Sequence, residues 1–225
     1  LKMKKTMDGL ASGERVEITA TDPGFPRDAA AWCSSTGNQL ISKEASGGKS
    51  VVIIEKGEPK ACNIVTSCEG KGKTFIMFSD DLDKALATFV LANGAAATGQ
   101  KVTIFFTFWG LNVIKKLHKP ETEKDIFGKM FGMMLPSSSK KLKLSKMSMG
   151  GIGGKMMRYI MNKKGIDSLE SLRQQALENG VEFIACQMSM DVMGVKQEEL
   201  LDEVTVGGVA TYMERADNAN VNLFI

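Results

Sequence analysis

The sequence predicts an α/β protein: a three-layer α/β/α domain on a mainly parallel sheet of about five strands, preceded by a small two-layer α/β unit. Three observations predict it. Apolar runs without alternation, Thr74 to Phe78, Val102 to Phe108 and Val181 to Ala185, read as parallel strands covered on both faces. Helix-length stretches separate them, and strands alternating with helices close into one sheet through right-handed crossovers. Upstream of residue 57 the pattern changes to an alternating strand and a glycine-centred hairpin, which mark a separate small unit.

In that first unit, residues 1–11 read as the tail of a helix, and Ser12-Gly13-Glu14 turns the chain into the alternating strand Arg15 to Ala20. Asp22-Pro23 opens a second helix, whose apolar positions Ala30, Ala31, Cys33 and Leu40 are spaced for one buried face. The strands Gln39 to Glu44 and Ser50 to Glu55 flank the hairpin turn Ala45-Ser46-Gly47-Gly48-Lys49. Residues 1–57 thus form one domain, 58–72 an aperiodic linker with Pro59, Gly70 and Gly72, and 73–225 the second domain. There the strand at Thr74 is followed by a helix over Asp80 to Gly99, and the strand at Val102 by a short helix over Leu111 to Leu117. Beyond a long irregular stretch, helices are expected at 155–164 and 168–179. The strand at Val181 follows, then a short strand at Val204 to Val206, a helix over Gly207 to Ala216 and a closing strand, Val221 to Ile225.

With 225 residues and a net charge of +3, the chain lacks the strongly basic balance of a dedicated nucleic-acid binder. No apolar run reaches the roughly 18–20 residues needed to span a bilayer, and no secretory signal opens the chain. The four cysteines are too few and too scattered for a disulfide scaffold, so a reducing, cytoplasmic setting is expected. The chain opens on Leu1, and further natural sequence upstream is expected. Charge is unevenly spread. Residues 126–166 carry nine cations and no Asp or Glu, and residues 127–161 hold eight of the fifteen methionines. Methionine is adaptable and polarizable, so this stretch reads as a partly mobile lid over the thiol of Cys186 that also docks acidic partners. Peripheral membrane contact and plain core packing are its other readings, the former weakening as salt rises.

In an open parallel sheet, chemistry gathers where strands end and helices begin. Three segments meet that condition: Phe78 to Asp81, Phe108 to Leu111 and Ala185 to Met190. Cys186 is the candidate nucleophile among them, because a thiolate at a helix N-terminus is favoured by the unpaired N–H groups there. The competing reading is a small hydrophobe packed in a core. Cys33 lies on the apolar face of its helix and reads as structural. Cys62 and Cys68 sit in the linker with a spacing unlike a zinc pair, and with a single histidine in the chain, His118, no metal site is expected. The glycine-rich stretch Met149 to Met156 does not fit a phosphate loop: its spacing is short and Met156 stands where Ser or Thr is required.

Val181-Glu182-Phe183-Ile184-Ala185-Cys186-Gln187-Met188-Ser189-Met190-Asp191-Val192-Met193-Gly194 resembles the signature of the DsrE-like sulfur-relay family, in its peroxiredoxin-like subgroup. Phe78 to Ala85, Phe105 to Leu111 and Gly207-Gly208-Val209 extend that resemblance over most of 73–225. It implies that Cys186 carries sulfur as a persulfide or thiosulfonate passed between partner proteins. Residues 1–57 resemble TusA, a small sulfur-carrier domain, through Leu1 to Met7, Ser12-Gly13-Glu14, Val16 to Ala20, Asp22-Pro23, Arg27-Asp28 and Trp32-Cys33. The Cys-Pro-x-Pro motif and first strand of that domain are absent here, so no residue of this chain inherits its carrier role. The tandem resembles the C-terminal part of CoA-disulfide-reductase-like flavoproteins, which often carry a rhodanese domain, yet nothing here reads as a flavin or nicotinamide site and no cofactor is expected.

The reading is a sulfurtransferase-like carrier, not a classical turnover enzyme, with TusA-like or rhodanese-like donors and acceptors; the resemblance also implies oligomers. Ser189, Gln187, Met188, Met190, Trp109, Gly110, Ser79 and Asp80 are the residues expected to bind or shield the adduct. A rival thiol redox catalyst requires Cys62 or Cys68 as a resolving thiol. A second rival is a non-catalytic membrane or partner adaptor with Cys186 merely packed.

Overall fold

The computed structural model describes residues 2–21, 25–46, 49–57, 72–118, 132 and 134–225. They divide into two compact units, one drawn from Leu1–Glu69 with Ala97–Gly99, the other from Gly70–Ala96 and Gln100–Ile225.

In the first unit, helix α1 (Lys2–Asp8), strand β1 (Arg15–Ala20), helix α2 (Phe25–Thr36) and strands β2 (Gln39–Ser46) and β3 (Lys49–Glu55) build a two-layer arrangement. The antiparallel sheet runs β1-β3-β2. Alternation along β3 buries Val52 and Ile54, which pack with Met7, Ala29 and Cys33 from the two helices. The hairpin is longer than expected, since Ser46 and Lys49 still pair. The expected helix start at Asp22-Pro23 lies outside the described residues.

The second unit holds strands β4 (Gly72–Met77), β5 (Val102–Phe106), β6 (Glu182–Cys186), β7 (Thr205–Gly207) and β8 (Ala219–Phe224) in one sheet, ordered β7-β6-β5-β4-β8. Every pairing is parallel. Helix α3 (Leu82–Ala97) follows β4, and α4 (Ile152–Lys163) and α5 (Leu169–Glu178) precede β6. Helix α6 (Gln187–Met193) follows β6, and α7 (Val209–Asp217) joins β7 to β8. The period of two sorts the strands cleanly. Phe75, Met77, Ile104, Phe106, Phe183 and Ala185 face the main core with Leu82, Phe89, Leu169 and Leu172. Ile76, Phe105, Ile184 and Cys186 face the opposite side, under α7. That side is thinly covered, because Tyr212 is the one buried residue of α7.

One element differs from expectation. In place of a helix over Leu111 to Leu117, a 3₁₀ turn runs from Phe108 to Ile114. Buried Arg173 of α5 holds its end, donating from Nη1 to the carbonyls of Val113 (2.7 Å) and Lys115 (3.3 Å). A guanidinium donating to the last carbonyls of a turn occupies the acceptors that a further helical turn would use.

Candidate functional site

Cys186 ends β6 and immediately precedes α6, in extended backbone conformation (φ −72°, ψ 115°). Because it shares parity with Ile184, its thiol enters the small cluster of Phe105, Ile184 and Tyr212, where it is 2 % exposed. The side chain makes no capping hydrogen bond to α6. This differs from the expected thiolate held by helix N–H groups, and the cause is strand alternation, which sends the side chain under α7.

The covering side chain is also not the expected one. The described part of the basic, Met-rich stretch packs with the main core through Leu135, Leu142, Leu144 and Met157, on the other face of the sheet. Tyr212 of α7 covers the thiol instead. Its ring lies 5.2 Å from that of Phe105, and its hydroxyl is 3.2 Å from Thr74 Oγ1, which donates to Asn222 Oδ1. Gly207 is the register partner of Cys186 on β7. A Cβ at Gly207 would come within 2.9 Å of Ile184 Cγ2, so the bare backbone lets β7 lie flat beside the thiol strand.

The other expected site residues gather at the carboxyl ends of β4, β5 and β6 but stand outside the thiol cluster. Ser189 is fully buried, its hydroxyl 2.8 Å from that of Thr107. Gln187 is exposed and donates to Asp191 Oδ1 at 2.9 Å. Met188 is exposed, whereas Met190 is buried in the main core. Gly110 is buried and donates to the carbonyl of Phe78 at 2.8 Å, while Trp109 is half exposed. Ser79 donates to Asp81 Oδ2 at 2.7 Å. Asp80 accepts from Asn112 Nδ2 at 2.9 Å, and burial pushes its carboxyl above the usual range despite that bond. Cys33 is a core residue of the first unit, and burial raises its thiol. Cys62 and Cys68 lie outside the described residues. His118 is exposed.

Phe105, Tyr212, Thr107 and Gly207 are the neighbours sequence reading missed as site residues. Parity along Phe105-Phe106 and Ile184-Ala185-Cys186 carried part of the signal; the arrival of Tyr212 depends on a crossover with no local mark.

One ion pair fastens α7 to the thiol strand. Arg215 Nε and Nη2 donate to the two carboxylate oxygens of Glu182 at 2.9 and 3.2 Å, and Thr103 Oγ1 adds a third bond at 2.8 Å. The Arg215 bond, helped by Thr103, holds the Glu182 carboxyl below its ordinary range against the opposing effect of burial. A depressed folded-state value stabilises above the unfolded one, and that contribution is lost as pH falls through the folded value. Glu182→Gln should therefore cost about 0.3–1 kcal/mol near neutrality, given the pair's partial exposure. The gap between the thermal unfolding curves of variant and parent should begin to narrow as pH falls below the ordinary Glu range of about 4 and keep narrowing as the carboxyl protonates; a gap that stays constant into strong acid would contradict the assignment.

The DsrE/DsrF/DrsH-like family model matches residues 70–224, and the sulfurtransferase TusA model matches residues 1–56. The uncharacterized protein YrkE of Bacillus subtilis (strain 168) is 44 % identical over 155 residues, 69 % of this chain and 97 % of that protein. Sulfur carrier protein DsrE2 of Allochromatium vinosum is 37 % identical over 161 residues, 70 % of this chain and 99 % of that protein. Sulfur carrier protein TusA of the same organism is 39 % identical over 56 residues, 25 % of this chain and 74 % of that protein. With an N-terminal TusA domain ahead of it, the parallel-sheet unit that ends β6 on Cys186 places this chain in the DsrE/DsrF/DrsH-like family of sulfur-relay proteins.

Proposed function

We propose that the chain is a sulfur carrier that holds sulfane sulfur on Cys186 and passes it to a partner protein. The observation that carries the reading is the position of Cys186, the terminal residue of an inner strand of the sheet at its carboxyl end, in a chain 37 % identical to a protein named as a sulfur carrier. Loading needs no net redox change from the protein. The Cys186 thiolate attacks the outer sulfur of a persulfide donor, the donor's S–S bond breaks, and its thiolate leaves. With tetrathionate the thiolate attacks one of the two inner sulfurs, the central S–S bond breaks, thiosulfate leaves and a thiosulfonate remains on Cys186. Because the thiol is 2 % exposed, either route runs through an opening of the cover formed by α7.

That burial also favours a second reading, in which Cys186 is a packed core residue and the unit works as an adaptor. Intact mass after incubation of reduced protein with tetrathionate or a persulfide donor separates the two. The carrier reading expects a dithiothreitol-reversible adduct, lost in Cys186→Ser and retained when Cys33, Cys62 and Cys68 are all replaced by serine. An unmodified parent, or equal loading of Cys186→Ser, assigns the thiol to packing.

A further inference from the structure

A cavity in the second unit is separate from the thiol. It encloses about 670 Å³, a size suited to a drug- or nucleotide-sized ligand, and Cys186 is not among its walls. Lys140, Lys141, Lys143, Lys155 and Arg158 line it, and Asp80 is the single acidic lining residue described. Arg158 is committed, its Nη2 donating to the Ser139 carbonyl at 2.9 Å and its Nη1 lying 3.5 Å from Glu170. The four lysines form no ion pair among the described residues.

The backbone carrying three of these lysines is firmly anchored. Ser139 is fully buried and donates to Glu170 Oε1 at 2.8 Å, which ties one end to α5. At the other end the Lys143 carbonyl accepts from Leu82 N at 2.7 Å, and Asp83 accepts from both the backbone and the hydroxyl of Ser145, which ties it to α3. The facing wall comes close because Gly154 has no side chain: a Cβ there would meet the Leu142 carbonyl at 3.2 Å. Like charges fixed around one concavity repel each other, and a bound polyanion relieves that cost while the cleft concentrates the field. Half-exposed Trp109 supplies a flat apolar surface on the same cavity, and the Asp80 carboxylate an acceptor.

We propose that this cavity binds a phosphate-bearing small molecule of nucleotide size, its phosphates on Lys140, Lys141, Lys143 and Lys155 and its planar group on Trp109. The site goes beyond sulfur carriage and is independent of it. Calorimetric titration of the full chain with ADP, inorganic tripolyphosphate and adenosine tests it, with folding of each variant checked by circular dichroism. ADP should bind with sub-millimolar affinity, weaken about tenfold or more in the Lys141→Glu/Lys155→Glu double variant, and lose affinity as salt rises. Trp109→Ala should bring ADP down to the affinity of tripolyphosphate. Cys186→Ser should leave ADP binding unchanged. The proposal is overturned if ADP gives no heat at about 2 mM, where such affinities would saturate the site, or if the lysine variant binds as the parent does. It is equally overturned if tripolyphosphate matches ADP on the parent, or if anionic vesicles bind the chain while ADP does not.

Discussion

Gly110→Ala should unfold or severely weaken the second unit, by about 3 kcal/mol or more, because the added methyl has nowhere to go. An ideal Cβ at Gly110 would lie 1.9 Å from the Met77 carbonyl oxygen and 2.7 Å from its carbon, both backbone atoms of β4. A flexible side chain gives way to such a contact; the end of an inner strand does not. Gly110 N also donates to the carbonyls of Phe78 at 2.8 Å and Thr107 at 3.0 Å, so pushing the turn away breaks two buried bonds as well. Gly94→Ala is the matching control. Gly94 lies inside α3 with nothing within 4 Å of its would-be Cβ, so alanine there should stabilise by about 0.5–1 kcal/mol. Urea denaturation reads both. A Gly110→Ala variant within about 1 kcal/mol of the parent would mean that the turn does not seat on the Met77 carbonyl.

The same turn shows where sequence reading stops. Val102 to Phe106 is apolar without interruption apart from Thr103 and is buried throughout, so its place in the middle of the sheet was legible from composition alone. Cys186 at the end of a strand was legible for the same reason. The 3₁₀ form of Phe108 to Ile114 was not, because it is set by partners far away in the chain: Met77 beneath Gly110 and Arg173 at the carbonyls of Val113 and Lys115. The thiol's surroundings divide similarly. Parity places Cys186 with Ile184 and Phe105, but nothing near residue 186 tells which helix lies over that face. The answer follows from strand order: β7 and β8 are opposite edges of the sheet, so the connection between them must cross it and carries Tyr212 over the thiol. A sheet with β8 beside β7 would leave that face open.

Tyr212→Ala should turn a slow thiol into a fast one. In a background where Cys33, Cys62 and Cys68 are serine, Cys186 is the sole thiol, and its alkylation under native conditions reports openings of its cover. Tyr212 supplies the one buried side chain of α7, and its ring closes the cluster over Cys186 against Phe105. Truncation to alanine should raise the alkylation rate about tenfold or more, equivalent to a loss of about 1.4 kcal/mol or more in the opening free energy, within the roughly 3–5 kcal/mol such a truncation costs overall. Tyr212→Phe keeps the ring and loses only the hydroxyl contact with Thr74, so its rate should rise less, by about fivefold at most for a bond worth about 1 kcal/mol. Leu172→Ala separates local opening from global weakening, since Leu172 lies in the main core on the other face and its loss costs about 2–5 kcal/mol without uncovering the thiol. A parent that alkylates as fast as Tyr212→Ala would show that the thiol is reached without moving α7. A Leu172→Ala variant as fast as Tyr212→Ala would show that reagent enters through global unfolding. If only the tyrosine truncation opens the site, displacement of α7 would control access to Cys186, and with it, under the function proposed above, the hand-over of sulfur; the Glu182–Arg215 pair would set how firmly the helix is held.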